Sequence, residues 1–137
     1  MLGKCIGAII KNQQGEYLVQ YRLKHPIGLA LPAGHIENEE DPESCLKREV
    51  AEETGMRFVS YKEVLHETFP NECPKVHEGH EWWVYEVVAE GEPVLCEPDK
   101  HKFLRFMSAG EMKQYVEKKE YDPAWFDHIF PALGIGF

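Results

Sequence analysis

The chain has 137 residues, 43% of them hydrophobic, which is enough to fill one core in a domain of the commonest size. It carries 24 acidic and 15 basic residues, and the net charge of −9 disfavours nonspecific binding to nucleic-acid polymers and to anionic membranes. No apolar run approaches the roughly 20 residues that span a bilayer, and the N-terminus lacks a signal-peptide pattern. We therefore predict a single domain over residues 1–137 that is cytoplasmic and binds neither nucleic-acid polymers nor membranes.

Strand patterns alternate with helix signals along the chain. The predicted strands cover residues 4–10, 16–22, 58–68, 82–89 and 103–107. Residues 11–15 are a hairpin signal between the first two strands, and residues 90–93 form a later turn. A capping-box pattern at residues 108–111 opens one helix, and Asp122 with Pro123 opens another. This order predicts a mixed β-sheet between helices, which is an α/β/α sandwich.

One further helix is predicted directly after a loop at residues 31–37. Asp41 is a good N-cap, Pro42 suits the first helical position, and Gly55 is placed to end the helix in the left-handed conformation. The helix has an apolar side that docks on the core and a polar side. Its residues predicted to face solvent are Glu43, Lys47, Ala51 and Thr54.

Carboxylates are concentrated on one side of this predicted helix. At about 100° per residue, Glu49, Glu52 and Glu53 fall within an arc of about 100°, and Arg48 lies beside Glu52. Like charges at these spacings destabilise a helix by about 0.2–0.5 kcal/mol per pair, and Arg48 offsets one of them through Glu52. The remaining carboxylates suit a hard divalent cation, Mg²⁺ or Mn²⁺. On spacing alone, a solvated acidic face is an equally good interpretation.

Residues 34–56 also fit a longer pattern. The chain reads Gly34, five residues, Glu40, seven residues, and then Arg48-Glu49-Val50-Ala51-Glu52-Glu53-Thr54-Gly55-Met56. This matches every defined position of the Nudix box, G-x5-E-x7-R-E-U-x-E-E-x-G-U with U aliphatic. The chain therefore resembles the Nudix hydrolases. Many members carry glycine at the positions of Ala33 and Glu39, so the loop before the helix departs from common practice there.

The resemblance implies a Nudix-type fold and hydrolysis of a nucleoside diphosphate linked to a further group, with Mg²⁺ or Mn²⁺ as cofactor. Water attacks a phosphorus atom while the cation neutralises the pyrophosphate. Arg48 would orient the glutamates and pair with Glu40. Carried over by position, the metal ligands are the Gly34 carbonyl oxygen, Glu49 and Glu53, with Glu52 assisting.

Substrate choice depends on residues outside the box. The turn at residues 97–100, followed by Phe103 and Phe106, is similar to members that hydrolyse nucleoside triphosphates, including oxidised ones. Pro70, fifteen residues after Gly55, is similar to ADP-ribose pyrophosphatases, in which a proline follows sixteen residues after that glycine. We expect a triphosphate to be cleaved to monophosphate and pyrophosphate. An ADP-ribose or nucleotide-sugar pyrophosphatase is the alternative.

The general base that activates the attacking water is not fixed by the box. Glu52 is the first candidate and Glu97 the second, and Glu78 and His77 rank well below them. A domain that binds a nucleotide without hydrolysing it, as a sensor, is an alternative of another class, but it would be favoured by loss of box glutamates, and all are present. The sequence does not give the oligomeric state, although many such enzymes form homodimers.

Three features outside the box have competing interpretations. Residues 71–80 form either a hairpin connection or a substrate lid. Trp82 and Trp83 point to opposite faces of their strand, so at most one lines a nucleobase site. The cysteines are far apart, and we predict reduced thiols in a reducing compartment. Cys73 lies near His77 and His80, but the spacing matches no familiar zinc pattern.

Overall fold

The computed structural model describes residues 2–70 and 79–137. Its strands are β1 (Gly3–Ile10), β2 (Tyr17–Arg22), β3 (Gly28–Ala30), β4 (Ala33–His35), β5 (Arg57–Phe69), β6 (His80–Glu90) and β7 (His101–Met107). Its helices are α1 (Pro42–Thr54), α2 (Ala109–Glu117), a π-helical segment (Ala124–Ile129) and the short α3 (Phe130–Ala132). No helix in these ranges is long and apolar enough to cross a membrane.

The strands form two sheets. The four-stranded sheet has the order β4-β1-β6-β5, in which β1 and β6 run parallel and the other pairs antiparallel. The three-stranded sheet has the order β3-β2-β7 and is antiparallel. The predicted α/β class with a mixed sheet and helices is confirmed. The division into two sheets is a feature that the strand pattern alone did not reveal.

The two sheets separate at the turn between β1 and β2. Asn12 closes the turn, since its backbone N–H donates to Glu16 and its side-chain oxygen accepts from the N–H of Glu16 at 2.9 Å. A single antiparallel bridge follows, between Lys11 and Tyr17. Beyond that bridge, β1 continues in the four-stranded sheet and β2 in the other. The predicted hairpin signal is therefore a real turn, but its two strands separate.

Alternate residues of β1 enter two different hydrophobic clusters. Ile6, Ala8 and Ile10 pack with the apolar side of α1, whereas Cys5 and Ile9 pack with the C-terminal helical segment. This alternation follows from the two-residue period of a strand. The four-stranded sheet thus has α1 on one face and the C-terminal segment on the other.

The two tryptophans of β6 divide between these faces as predicted. Trp82 is buried and lies edge-on to Trp125 of the π-helical segment, with ring centroids 5.9 Å apart. Trp83 stacks on His66 of β5, with centroids 4.4 Å apart. Both rings are thus engaged by neighbouring side chains. The predicted lid or hairpin connection falls almost wholly on residues 71–78, which lie outside the described residues.

The ends of α1 follow the local sequence signals. The Asp41 carboxylate accepts a hydrogen bond from the Ser44 N–H at 2.7 Å, and Gly55 ends the helix with φ 66°. The prediction that Thr54 faces solvent was wrong: it is fully buried, and its hydroxyl donates to the Val50 carbonyl at 2.6 Å. A threonine can be buried in a helix when its hydroxyl bonds the preceding turn. These contacts fix the end of α1 on the core.

Candidate active site

The candidate site forms where β4 passes across α1. Gly34 pairs with Ile6 of β1, and its backbone lies against the carboxylate of Glu49. A Cβ atom added to Gly34 would overlap that carboxylate, at a separation that real atoms do not reach. Glycine is therefore required for the close approach of the strand backbone to Glu49.

The guanidinium of Arg48 connects the acidic residues. Its Nε and Nη2 donate to the two carboxylate oxygens of Glu40 at 2.8 and 3.0 Å. Its Nη1 donates to Glu49 at 2.7 Å and to Glu52 at 3.2 Å. These hydrogen bonds from Arg48 lower the pKa of Glu40 to about 2. The predicted pairs of Arg48 with Glu40 and with Glu52 are both present.

Glu53 is the most buried carboxylate of the site, with only 7% of its surface exposed. Its Oε1 accepts a hydrogen bond from the Ala33 N–H at 3.0 Å, which ties the end of α1 to β4. Burial, together with the nearby charge of Glu49, raises the pKa of Glu53 to about 8. Burial also raises the pKa of Glu49 to about 7, against the opposing effect of Arg48. The two neighbouring carboxyl groups resist ionisation, and a bound cation would lower the free-energy cost of ionising both.

Two more charged residues act on this pair. Glu97, in the turn before β7, raises the pKa of both Glu49 and Glu53 through its negative charge, so the predicted second candidate base lies close enough to influence them. Its carboxylate also accepts a hydrogen bond from the Lys100 ammonium at 3.0 Å. Arg22, at the end of β2, lowers the pKa of Glu53. Sequence analysis missed Arg22, because a lone basic residue ending a strand is too common a signal to select it.

The loop between β4 and α1 contains a residue in an unusual conformation. Glu39 has φ 63°, which is the left-handed region that glycine adopts without steric cost. Glu40, directly after it, accepts a hydrogen bond from the Glu37 N–H at 3.1 Å. Glu39 therefore adopts the left-handed conformation at a position where many members carry glycine.

The structure brings the predicted metal ligands Gly34, Glu49 and Glu53 together. Glu52 lies at the open side, with 53% of its side chain exposed. The minor candidate bases His77 and Glu78 lie outside the described residues. The catalytic and metal-binding roles assigned to these positions stay predictions.

The described cysteines agree with the prediction of reduced thiols. Cys5, Cys45 and Cys96 form no disulfide, and Cys73 lies outside the described residues. Burial raises the pKa of the Cys45 thiol to about 12.

The chain matches the model of a known protein family. The NUDIX domain model matches residues 1–131. The chain belongs to the Nudix family. An RNA pyrophosphohydrolase of Bartonella tribocorum is 26% identical over 160 residues, which covers 98% of this Nudix chain and 82% of that relative. The chain is thus a Nudix hydrolase that acts on pyrophosphate bonds, as the box predicted.

Solved structures share the Nudix fold. A MutT NUDIX hydrolase from Burkholderia pseudomallei is 25% identical, with a TM-score of 0.69 over 78% of this chain and 83% of that one. A MutT protein from work on Aliivibrio salmonicida and Vibrio cholerae is 18% identical, with a TM-score of 0.72 over 98% of each chain. A NUDIX hydrolase from Nitrosomonas europaea is 20% identical, with a TM-score of 0.71 over 85% of this chain and 79% of that one. These similarities confirm the predicted fold class.

Nudix hydrolases generally use divalent metal ions, and the donor set here fits such an ion. Glu49 and Glu53 provide carboxylate oxygens at the place where the backbone of Ala33 and Gly34 lies against α1. Hard cations such as Mg²⁺ prefer oxygen ligands of this kind. Burial, together with the charges of neighbouring glutamates, raises the pKa of both residues against the opposing effects of Arg48 and Arg22, so a bound cation would favour their ionised forms.

Substitution of Gly34 tests the close approach of β4 to Glu49. We expect Gly34→Ala to lower kcat/KM by about tenfold or more, since the new methyl group must displace either the strand or the Glu49 carboxylate, and misplacement of about 1 Å is costly in catalysis. Steady-state hydrolysis with purified protein measures the effect.

Gly110→Ala is the matched control. Gly110 lies in the first turn of α2, where an added Cβ meets only the Ser108 hydroxyl at an ordinary 3.9 Å. That variant should keep wild-type activity. Equal activity of the two variants would contradict the packing argument.

The buried position of Glu53 has a consequence for stability. Its folded-state pKa of about 8 exceeds the ordinary value of 4.5, so between these pH values the folded protein retains a proton that the unfolded chain has lost. The metal-free protein should therefore lose stability as the pH rises from about 4.5 to about 8 and level off above that. Glutamine cannot ionise, so Glu53→Gln should remove much of this fall, which urea unfolding in a chelator at several pH values measures.

Glu43→Gln provides the comparison for this experiment, because Glu43 lies on the same helix but is not among the groups that shift the pKa of Glu49 or Glu53. It should keep the wild-type dependence on pH. A Glu53→Gln variant with an unchanged slope would show that the Glu53 carboxylate is ionised without penalty in the folded protein.

Proposed function

We propose that this pyrophosphohydrolase cleaves a nucleoside triphosphate, oxidised or unmodified, to the monophosphate and pyrophosphate with Mg²⁺ or Mn²⁺. The observation that carries the proposal is the position of two carboxylates at β4, where Glu49 lies against the Gly34 backbone and the buried Glu53 accepts a hydrogen bond from the Ala33 N–H. Such a pair can bind the divalent cation that accompanies a substrate with several phosphate groups.

Each protein group in the site has a distinct task in this proposal. Glu49, Glu53 and the Gly34 carbonyl hold the cation, which neutralises the pyrophosphate and lowers the pKa of water. Arg48 fixes Glu49 through a 2.7 Å hydrogen bond while Glu40 fixes Arg48. Arg22 adds the positive charge that a further phosphate group requires on the β2 side of Glu53.

Glu52 is the general base in this proposal. Its carboxylate is the exposed one of the box, so a water molecule can reach it, and Arg48 orients it from one side at 3.2 Å. Glu52 takes a proton from water as the oxygen bonds to phosphorus and the phosphoanhydride P–O bond breaks. Glu97 is the second candidate, because it lies near the same two carboxylates on another loop.

The choice of a triphosphate follows from the turn at residues 97–100, which is similar to the turn of Nudix members that hydrolyse nucleoside triphosphates and which brings Glu97 near Glu49 and Glu53. Two other substrates have support of their own. The 26% identical relative is an RNA pyrophosphohydrolase, which makes the 5′-triphosphate of an RNA the second candidate. ADP-ribose remains the alternative indicated by Pro70.

A substrate panel separates these possibilities. It contains the common nucleoside triphosphates, oxidised dGTP, a short 5′-triphosphate RNA, ADP-ribose, other nucleotide sugars and dinucleoside polyphosphates, each with Mg²⁺ or Mn²⁺. We expect the highest kcat/KM for a free triphosphate, with pyrophosphate and monophosphate as products. Higher kcat/KM for the RNA or for ADP-ribose would overturn the triphosphate proposal in favour of that substrate.

Two variants belong in the same experiment. Glu53→Gln should lose about 100-fold or more in rate, because several kcal/mol of charge stabilisation depend on the cation. Glu43→Gln, on the same helix but away from the acidic arc, should keep the wild-type rate. Binding of nucleotides without cleavage of any would leave only a sensor role.

Metal affinity distinguishes a base from a ligand where rate alone cannot. We expect Glu52→Gln to lower kcat by about 10²–10⁴-fold while Mn²⁺ binds as in the wild type, whereas Glu53→Gln should also weaken Mn²⁺ binding. Calorimetric titration of Mn²⁺ beside the rate measurement gives both quantities. A Glu52→Gln variant that loses Mn²⁺ affinity would make Glu52 a ligand and transfer the base role to Glu97.

A further inference from the structure

Three side chains with soft or borderline metal-ligand atoms meet on the face of the four-stranded sheet that is opposite α1. Cys5 of β1, His35 of β4 and His80 of β6 have a thiol sulfur and two ring nitrogens that all lie within 4.8 Å of one another. Cys5 belongs to the cluster around Trp125, and β4 pairs His35 directly with Cys5. This group therefore lies apart from the carboxylates of the candidate active site.

The backbone around this group is built for close packing. A Cβ atom on Gly3 would come within 2.6 Å of the His80 ring, so the ring lies directly over the glycine of the neighbouring strand. The His35 and His80 rings are 5.5 Å apart between centroids, in an edge-to-face arrangement. Three adjacent strands thus hold the three side chains at one end of the sheet.

We propose that Cys5, His35 and His80 bind a borderline-soft divalent ion, with Zn²⁺ as the first choice. A thiolate and two imidazoles are ligands that Zn²⁺ prefers, whereas Mg²⁺ prefers oxygen. Since His35 is exposed, a water molecule can take the fourth position of a tetrahedral site.

The geometry requires only a small adjustment. Tetrahedral zinc with bonds of about 2.0–2.3 Å places its ligand atoms about 3.4–3.6 Å apart. The three atoms must approach by little more than 1 Å, which side-chain rotation of the exposed His35 can largely provide.

The sequence alone led away from this site. It paired His80 with Cys73 and His77, which are near it along the chain, and that spacing matched no zinc pattern. The ligands Cys5, His35 and His80 come from three separate strands, and only the sheet order brings them together.

Cobalt titration tests the site with a signal that the carboxylates cannot give. Co²⁺ bound by a thiolate has a strong sulfur-to-metal charge-transfer band in the near ultraviolet, and excess Mg²⁺ occupies the oxygen ligands. We expect the band in the full chain, kept reduced with a phosphine, and its displacement by one equivalent of Zn²⁺. The experiment uses Co²⁺ and Zn²⁺ alone, with no nucleotide.

Variants assign the signal to the three residues. Cys5→Ser should abolish the band, and His35→Gln should weaken Co²⁺ binding by at least about tenfold, since residues that merely orient a metal ligand already contribute 10–100-fold. His35 is exposed, so its variant remains informative if the buried Cys5→Ser fails to fold. Cys96→Ser is the matched thiol control, and His66→Gln, on β5, is the matched histidine control. Both should bind Co²⁺ as the wild type does.

The alternative ligands give the outcome that would overturn the proposal. A band that persists in His35→Gln and Cys5→Ser but is lost in Cys73→Ser or His77→Gln would show that the metal is bound by Cys73 and His77 instead. Absence of any charge-transfer band in the wild type would exclude a thiolate-bound ion at Cys5. A second readout is the Tm, measured with the same excess of Mg²⁺. It should rise with one equivalent of Zn²⁺ in the wild type and not in His35→Gln, because an ion that binds only the folded protein stabilises it.

Discussion

The proximity of Glu49 and Glu53 at a buried junction is the constraint on which the candidate site depends. Each carboxylate is more costly to ionise next to the other, and burial adds to that cost. Arg48 donates hydrogen bonds to Glu40, Glu49 and Glu52 and also lies 3.8 Å from Glu37, so its single positive charge is shared among four carboxylates. The folded protein therefore contains two neighbouring carboxyl groups that a divalent cation would allow to ionise together.

The rest of α1 maintains this unfavourable arrangement. Leu46 and Val50 are fully buried against the sheet, and Asp41 and Gly55 fix the two ends of the helix. The hydrogen bond from Ala33 to Glu53 then sets the distance between the helix and β4. A site on packed elements keeps its geometry better than one on loops, and here packing compensates for electrostatic strain. The packing of α1 therefore offsets the local free-energy cost of placing Glu49 and Glu53 side by side.

The parts of the site that could be predicted from sequence are the local ones. Helix caps and the spacing of Arg48, Glu49 and Glu53 depend on residues a few positions apart, and the chain follows them. Thr54 was misassigned because a helical wheel ignores how the helix end turns into the core. Arg22 could not be found, since its effect on Glu53 arises from how the two sheets pack, and that depends on contacts distant in sequence.

The two sides of β4 present different chemistry through a single stretch of backbone. On one side Gly34 lies against the oxygen ligands of α1, and on the other His35 lies with a thiol and a second imidazole. Zn²⁺ generally binds protein ligands more tightly than Mn²⁺ does, so oxygen ligands alone would not exclude it. Softer ligands on the opposite face give Zn²⁺ a preferred place. The His35 carbonyl accepts a hydrogen bond from Arg48 at 3.3 Å, so an ion bound to the His35 ring also steadies the strand that presents Gly34 to the glutamates.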